Sequence, residues 1–468
     1  MDKSVRRGVG IIAVVVVAIA AILLIPKKEQ NKPTPTNNDP WRLVSYDAND
    51  EFGTYLGNGF ISTRIMSDGV GSQIMFGDDG KAQTTTLGCF MAGVYENEKL
   101  APIPTWSDLR IYDGKERFVI DKRAAYKQVL DMKTGILITN ATWRAGKKRL
   151  EGSITIIVSR ARPHVGWVGA VLTPDFDGEV ELRYPVRLPE GNSVKGNVYR
   201  VGSSGTVIGI CRSLWVKTGL ASGSHTLPAR NISRIAVKQN ETTTMELYSA
   251  LYKGKDSDAV AKKASDEVKR VSVWDNSKPR EAAKRFVEEH RAAWAALWSK
   301  HITIDGPRKD QQALNSCMFY LLQSVREDSQ WSIPPMGLSS DSFSGHVFWD
   351  ADIWMFPALL LQHPELARSI VDYRYNTLSG ALANAKLSGY AGAEYAWESG
   401  ETGAEDTPPG LVYRNERHIN GDIALAQWQY YLATGDLSWL KTRGFAVIKA
   451  TADYWVSRAT LTNDRYEI

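Results

Sequence analysis

Three acidic residues stand where this chain could do hydrolytic chemistry. Asp350 falls in the run Gly345-His346-Val347-Phe348-Trp349-Asp350-Ala351-Asp352, Glu398 follows 48 residues later beside Trp397, and Glu416 lies 66 residues after Asp350 in Asn415-Glu416-Arg417-His418. Cleaving a sugar acetal needs one carboxyl group to protonate the leaving oxygen, a second to activate water, and flat aromatic faces to hold the ring. Other readings of each acid stay open. Asp350 and Asp352 precede the apolar run Ile353 to Leu361 and could simply complement a helix N-terminus, although Trp349, Trp354, Phe348 and His346 crowd them with more rings than a cap requires. Glu398 sits in a glycine-rich loop with Glu394, Glu401, Glu405 and Asp406 around it, so it is either a site residue or one solvated acid among several. Glu416 stands just before Ile419, where a helical pattern begins, and is either a helix-terminal charge or a group projecting into a cleft, with Arg417 and His418 able to tune it.

The elements that must position these residues fall into two kinds. From about Trp41 to Ser272 short β-rich runs recur between Gly, Asp, Asn and Pro, among them Ser153 to Val158, Val165 to Val171, Glu179 to Tyr184 and Thr206 to Ile210, which predicts an antiparallel sandwich. Gly57-Asn58-Gly59-Phe60 reads as a turn serving backbone geometry alone. After Lys278 the period is helical: Arg280 to Lys300 as a connecting helix, then Gln311 to Val325, Pro364 to Leu387, Ile419 to Thr434 and Leu437 to Arg458. Paired helices joined by loops predict an α/α bundle or toroid. The expected organisation is a span at residues 1–26, a linker at 27–40, a sandwich at 41–275, a helical linker at 276–306 and a helical catalytic part at 307–468.

At the N-terminus, 18 uncharged residues from Gly8 to Ile25 follow Lys3, Arg6 and Arg7, long enough for a single-pass signal anchor. Residues 27 to 39 are polar and proline-bearing and read as a tether. Sequons at Asn140, Asn231 and Asn240 favour a lumenal or extracellular globular part over a cytoplasmic or periplasmic one. A net charge of +5, from 57 basic and 52 acidic residues, excludes a nucleic-acid footprint. Cys89, Cys211 and Cys317 show no paired spacing, so neither a disulfide framework nor a zinc site is expected, and each reads as a small buried side chain.

The residues resemble glycoside hydrolase family 65, of the acid trehalase and maltose phosphorylase superfamily, and within it the branch of protein-glucosylgalactosylhydroxylysine glucosidases. The resemblance is carried by Gly337 to Ser339, Gly345 to Asp350, Trp354 to Pro357, His363 to Glu365, the Arg374 to Gly389 helix, Tyr395 to Ser399 and Glu416 to Gly421. It implies a multidomain α and β chain: an N-terminal antiparallel β-sandwich, a helical linker, and part of an (α/α)6 barrel. It further implies an inverting, metal-independent and cofactor-free α-glucosidase, with Glu416 as general acid, Trp349 and Asp350 holding the glucose ring, and Trp397 and Glu398 lining the same pocket. The implied partner is a carbohydrate, an α-glucosyl disaccharide that includes one carried on collagen-type hydroxylysine. Twelve barrel helices do not fit between residue 307 and Ile468, and no carboxylate matches the base by motif, so the chain is expected to be C-terminally truncated. The competing expectations are a non-catalytic sugar-binding homologue, able to pair with a second copy through uncovered helix faces, and a disaccharide phosphorylase.

Overall fold

Alternating side chains build the first half of the molecule, as the burial of one central strand illustrates. In β1 (Ile136–Ala145), Thr139, Ala141, Trp143 and Ala145 point inward while Ile138, Asn140, Thr142 and Arg144 lie at the surface side, the two-residue period of a strand with one face on the core. The structure is a computed structural model that describes residues 39–50, 53–71, 75–76, 82–83, 88–185, 193–218, 222–226, 232–272 and 279–468. The apolar run from Gly8 to Ile25 and the tether as far as Asn38 lie outside these. Among the described residues no helix is long and apolar enough to cross a membrane.

Strand β1 belongs to an eleven-stranded sheet whose centre runs β1, β2 (Lys148–Val158), β3 (Val165–Pro174), β5 (Thr243–Gly254), β4 (Thr206–Lys217). A four-stranded sheet that includes Gly178–Arg183 and Ile232–Val237 accompanies it, and every pairing among the described strands is antiparallel. The expected sandwich is therefore present. Strands β3, β4 and β5 are buried along most of their length on both faces. The reason is a helix that the strand-like reading of the region passed over, α1 (Ser257–Ser272), whose Ala264, Val268 and Val271 cover Ile157, Trp167, Cys211 and Tyr248 together with Phe286 of α2 (Pro279–Trp298). Its apolar residues recur at helical spacing inside a charged sequence, with buried Glu267 paired to Arg162.

The second half is helical: α3 (Arg308–Ser324), α4 (Phe356–Gln362), α5 (Pro364–Asn376), α6 (Leu378–Leu387), α7 (Ile419–Thr434) and α8 (Phe445–Arg458). The expected helix from Pro364 to Leu387 is broken at Thr377, whose hydroxyl bonds back to the Tyr373 carbonyl at 2.8 Å. The segment from Leu437 to Arg458 stays helical through a π turn at Leu440–Gly444. Cys89 and Cys211 are buried as expected, whereas Cys317 is exposed on α3. One apolar core runs without a gap from the sandwich to the helices, from Leu56 and Trp106 through Trp294 and Phe319 to Phe356, Ile370 and Trp439.

The turn at Gly57 to Phe60 does more than reverse the backbone. Asn58 is fully buried; its amide donates to the Ser159 and Pro163 carbonyls and its oxygen accepts from Phe60 and Ile61. Beside it Arg160 is buried and donates to the carbonyls of Asn58, Leu322 and Val325, joining sandwich to helix α3, and burial pulls its pKa down to about 9. His290 of α2 closes this junction. Its Nδ1 accepts the Arg160 N–H at 3.1 Å, so that nitrogen must be unprotonated, and burial lowers the imidazole pKa to about 4. An unfolded chain takes up that proton near its ordinary 6.5, so the unfolded state binds more protons between those values and stability falls as pH drops through that window. In the limit His290 contributes about 3 kcal/mol to this dependence. Urea unfolding measured from pH 7 to pH 4 is expected to show this loss, and a His290→Gln chain a shallower one; an unchanged slope would remove His290 from the account.

Candidate functional site

The segment that carries Trp349 and Asp350 is forced through an unusual path. Phe343, Ser344 and Gly345 are all left-handed, with φ of 56°, 56° and 64°, which costs about 1 kcal/mol or more at each of the two non-glycine residues. At Gly345 a Cβ would lie 2.2 Å from the Leu100 Cβ, so only glycine admits this approach. Val347 then exchanges both backbone hydrogen bonds with Ser399, at 2.9 and 3.2 Å, pinning the Trp349 segment to the loop that carries Glu398. A π turn at Ala351–Met355 follows and leads into α4, with Pro357 in its first turn.

The end of helix α5 holds both segments. Arg374, fully buried, donates to Asp352 at 2.6 and 3.0 Å and to the Phe348 carbonyl at 2.9 Å. Burial disfavours its charge, but the Asp352 carboxylate more than offsets this and holds the guanidinium above its ordinary pKa. Next to it the Tyr373 hydroxyl donates to the Gly400 carbonyl at 2.6 Å, and the Tyr395 hydroxyl to the Arg374 carbonyl at 2.7 Å. Asp352 is therefore a structural partner, neither a helix cap nor a second catalytic acid.

The loop from Ala393 to Thr407 is tied from several sides. Asn420, in the first turn of α7, bonds to Ala393 and Tyr395, and the Glu405 carboxylate accepts the N–H of Trp397 at 3.1 Å and of Thr407 at 3.0 Å. The sandwich reaches it as well. A hairpin of β6 (Phe90–Glu96) and β7 (Lys99–Pro102) turns through left-handed Asn97 and Glu98, and the Glu98 carboxylate accepts the Thr402 N–H at 3.0 Å. A Cβ on Gly400 would stand 1.9 Å from the Glu98 carbonyl oxygen, so this contact too requires glycine.

These constraints bring Trp349, Trp397 and, through His418, Glu416 together. The Trp349 and Trp397 rings lie 6.3 Å apart, the His418 ring stands edge-on to Trp349 at 4.9 Å, and Tyr413 stacks on Trp397 at 5.3 Å. Glu416 Oε2 lies 3.9 Å from His418 Nε2 with its side chain 46% exposed. Its neighbour Arg417 turns away and pairs with Glu394. Asp350 is half-buried and has no side-chain hydrogen bond or ion pair among the described residues, which leaves its carboxylate available to hydroxyls. Glu398 is buried against His346 Nδ1 at 3.0 Å. Among the described residues no cluster of His, Cys, Asp or Glu could hold a metal ion. Two small cavities lie elsewhere, beside Trp331 and inside the sandwich, and neither carries a titratable group in its lining beyond Tyr95. Sequence reasoning missed Tyr373, Arg374 and Glu98. Arg374 falls four residues after Ile370, on the helix face that carries Ala367 and Ile370 into the core, which signals a buried charge, but nothing near Glu98 announces its part.

The fold is thus a two-layer β structure followed by paired helices, with two tryptophans and an acid gathered at a helix start. The model of the glycosyl hydrolase family 65 N-terminal domain matches residues 45–297, and that of the family 65 central catalytic domain matches residues 316–468. The chain belongs to glycoside hydrolase family 65. A kojibiose hydrolase of Flavobacterium johnsoniae is 45% identical over 191 residues, 40% of this chain and 28% of that protein. A kojibiose phosphorylase of Caldanaerobacter subterraneus is 30% identical over 446 residues, 81% of this chain and 56% of that protein. A protein-glucosylgalactosylhydroxylysine glucosidase of Gallus gallus is 42% identical over 190 residues, 38% of this chain and 27% of that protein. The chain thus spans from about a quarter to just over half the length of the curated relatives it matches. A solved structure from the human microbiome, described as a kojibiose phosphorylase, superposes with a TM-score of 0.76 at 19% identity over 92% of this chain and 61% of that one, and supports the fold.

Removing Arg374 alone should strand Asp352 in the core. Arg374→Met is expected to cost about 3–5 kcal/mol in urea unfolding, and adding Asp352→Leu to recover most of it. The double variant still lacks a donor to the Phe348 carbonyl, so the Trp349 segment should stay loosened, read as tryptophan fluorescence more readily quenched by acrylamide. Quenching restored to the wild-type level would show that the Phe348 contact is dispensable.

Proposed function

We propose that the chain is an inverting α-glucosidase that releases glucose from an α-glucosyl disaccharide unit, with Glu416 as general acid. The observation that carries this reading is the placement of Glu416 one histidine away from the Trp349 and Trp397 faces. A glucosyl ring lying on those faces meets the free Asp350 carboxylate, which accepts from its hydroxyls, while Glu398 closes the buried side. Glu416, at the open edge, is where a leaving oxygen would take its proton. His418, whose Nδ1 pairs with Asp422 at 2.5 Å, presents Nε2 towards the acid beside the Trp349 ring.

Hydrolysis is favoured over phosphorolysis by the relatives. The hydrolase-type ones align at 39–45% identity over 185–196 residues, and the phosphorylases at 28–30% over longer stretches. Both substrate names among the hydrolase-type relatives, kojibiose and glucosylgalactosyl-hydroxylysine, serve as probes for this chain. Sugar binding without turnover is the second reading, favoured by the solvent exposure of Glu416, since a general acid is more often held in an apolar pocket.

Glucose release from both substrates, with and without phosphate, separates these readings. Wild-type chain should release glucose without phosphate, with β-glucose first by proton NMR, and Glu416→Gln should lose about 10²- to 10⁴-fold in kcat while still binding glucose. Equal activity in the two chains would sink the role of Glu416, and glucose binding with no release in either would support the binding module.

A further inference from the structure

His346 faces two carboxylates, as His418 does, but unlike His418 it is buried, and no role falls to it in the chemistry above. Its side chain is 2% exposed; Nδ1 lies 3.0 Å from Glu398 Oε2 and Nε2 3.2 Å from Asp406 Oδ2. The two contacts are unequal. The first has hydrogen-bond geometry, whereas Nε2 has no hydrogen-bond partner among the described residues, so the Asp406 approach is a near contact and not a bond.

The backbone explains why this ring cannot drift from Glu398. His346 follows the left-handed Gly345 and precedes Val347, whose two backbone hydrogen bonds to Ser399 put His346 and Glu398 on the same face of the pairing, one diagonal step apart. Its main-chain N–H is also committed, to the Phe343 carbonyl at 3.0 Å. A carboxylate only accepts, so the Glu398 bond requires a proton on Nδ1. Nε2 makes no hydrogen bond to Asp406, whose side chain, 39% exposed, stays at the rim.

Resting on the family 65 glucosidase reading, we propose that His346 is the positioning residue of the sugar pocket: it orients the Glu398 carboxylate towards the glucose ring through a single buried Nδ1–H donor. A carboxylate with two free oxygens would rotate. Held by one oxygen, Glu398 keeps the other turned to the sugar, so the order of the pocket before substrate arrives depends on which atom of residue 346 donates.

Two amide substitutions distinguish this role from filling of space. Asn places an N–H near the position of Nδ1, and Gln places it near that of Nε2. His346→Ala and His346→Gln should raise KM for kojibiose about ten- to a hundredfold, the value of a hydrogen bond to a charged group, with a smaller change in kcat, and His346→Asn should restore KM to within about threefold of wild type. Equal loss in all three, in proportion to their thermal stability, would reduce His346 to a packing residue and overturn the proposal. A crystal structure of His346→Ala reads the same point without turnover. Movement of the Glu398 carboxylate by about 1 Å or more, enough to matter for a bound substrate, supports it, and an unmoved carboxylate overturns it. A wild-type chain that neither releases nor binds glucose would instead refute the glucosidase reading and leave that structural comparison to decide the role of His346.

Discussion

Arg374 is a permanent charge with no access to water, and the architecture of the site follows from meeting its demands. Its guanidinium, held above its ordinary pKa by Asp352 against the effect of burial, keeps its charge and needs both a counter-charge and acceptors for its remaining N–H groups. Asp352 and the Phe348 carbonyl answer that need. In doing so they fix both ends of a five-residue stretch, Phe348 to Asp352, that contains Trp349 and Asp350. The same turn of α5 binds the Gly400 carbonyl through Tyr373 and is bound in return by Tyr395. One helix end therefore sets the distance between two segments that the sequence separates by some fifty residues.

The sandwich takes part in this arrangement. Its hairpin tip, bent through two left-handed residues that are not glycine, presses the Glu98 carbonyl against Gly400 and Leu100 against Gly345. Backbone strain of this kind persists only where surrounding structure over-determines it, and here the surrounding structure is the site. That the apolar core runs unbroken from the sandwich to α5 and α7 is the larger expression of the same coupling. The N-terminal half is a wall of the helical half.

Legibility in the sequence followed the range of the interactions. The helix at Ile419–Thr434 was readable to its ends, because an αL glycine at Gly435 stops it and Ile419, Ile423, Ala426 and Tyr430 recur at helical spacing on its buried side. The strands were readable as short alternating runs, though their ends were not, since β2 and β4 extend well past the segments expected. Helix α1 was hidden because its apolar stripe is sparse within a charged stretch, and the burial that reveals it comes from the sheet beneath. In the site, Trp349, Asp350, Trp397, Glu398 and Glu416 were marked by residue type and by family motif. What could not be read was which acids are already spoken for: Asp352 by Arg374, Glu394 by Arg417, Glu405 by the loop backbone. Those assignments depend on contacts across 8 to 23 residues, which a linear pattern does not encode.

The proposed chemistry requires a sugar ring lying on the Trp349 and Trp397 faces with its glycosidic oxygen at Glu416. A crystal structure of the Glu416→Gln chain soaked with kojibiose tests this most directly. It should show the glucosyl ring against both indoles, Asp350 accepting from its hydroxyls, and the glycosidic oxygen about 2.6–3.2 Å from the residue 416 side chain. Sugar bound elsewhere, or a glycosidic oxygen out of reach of residue 416, would contradict it.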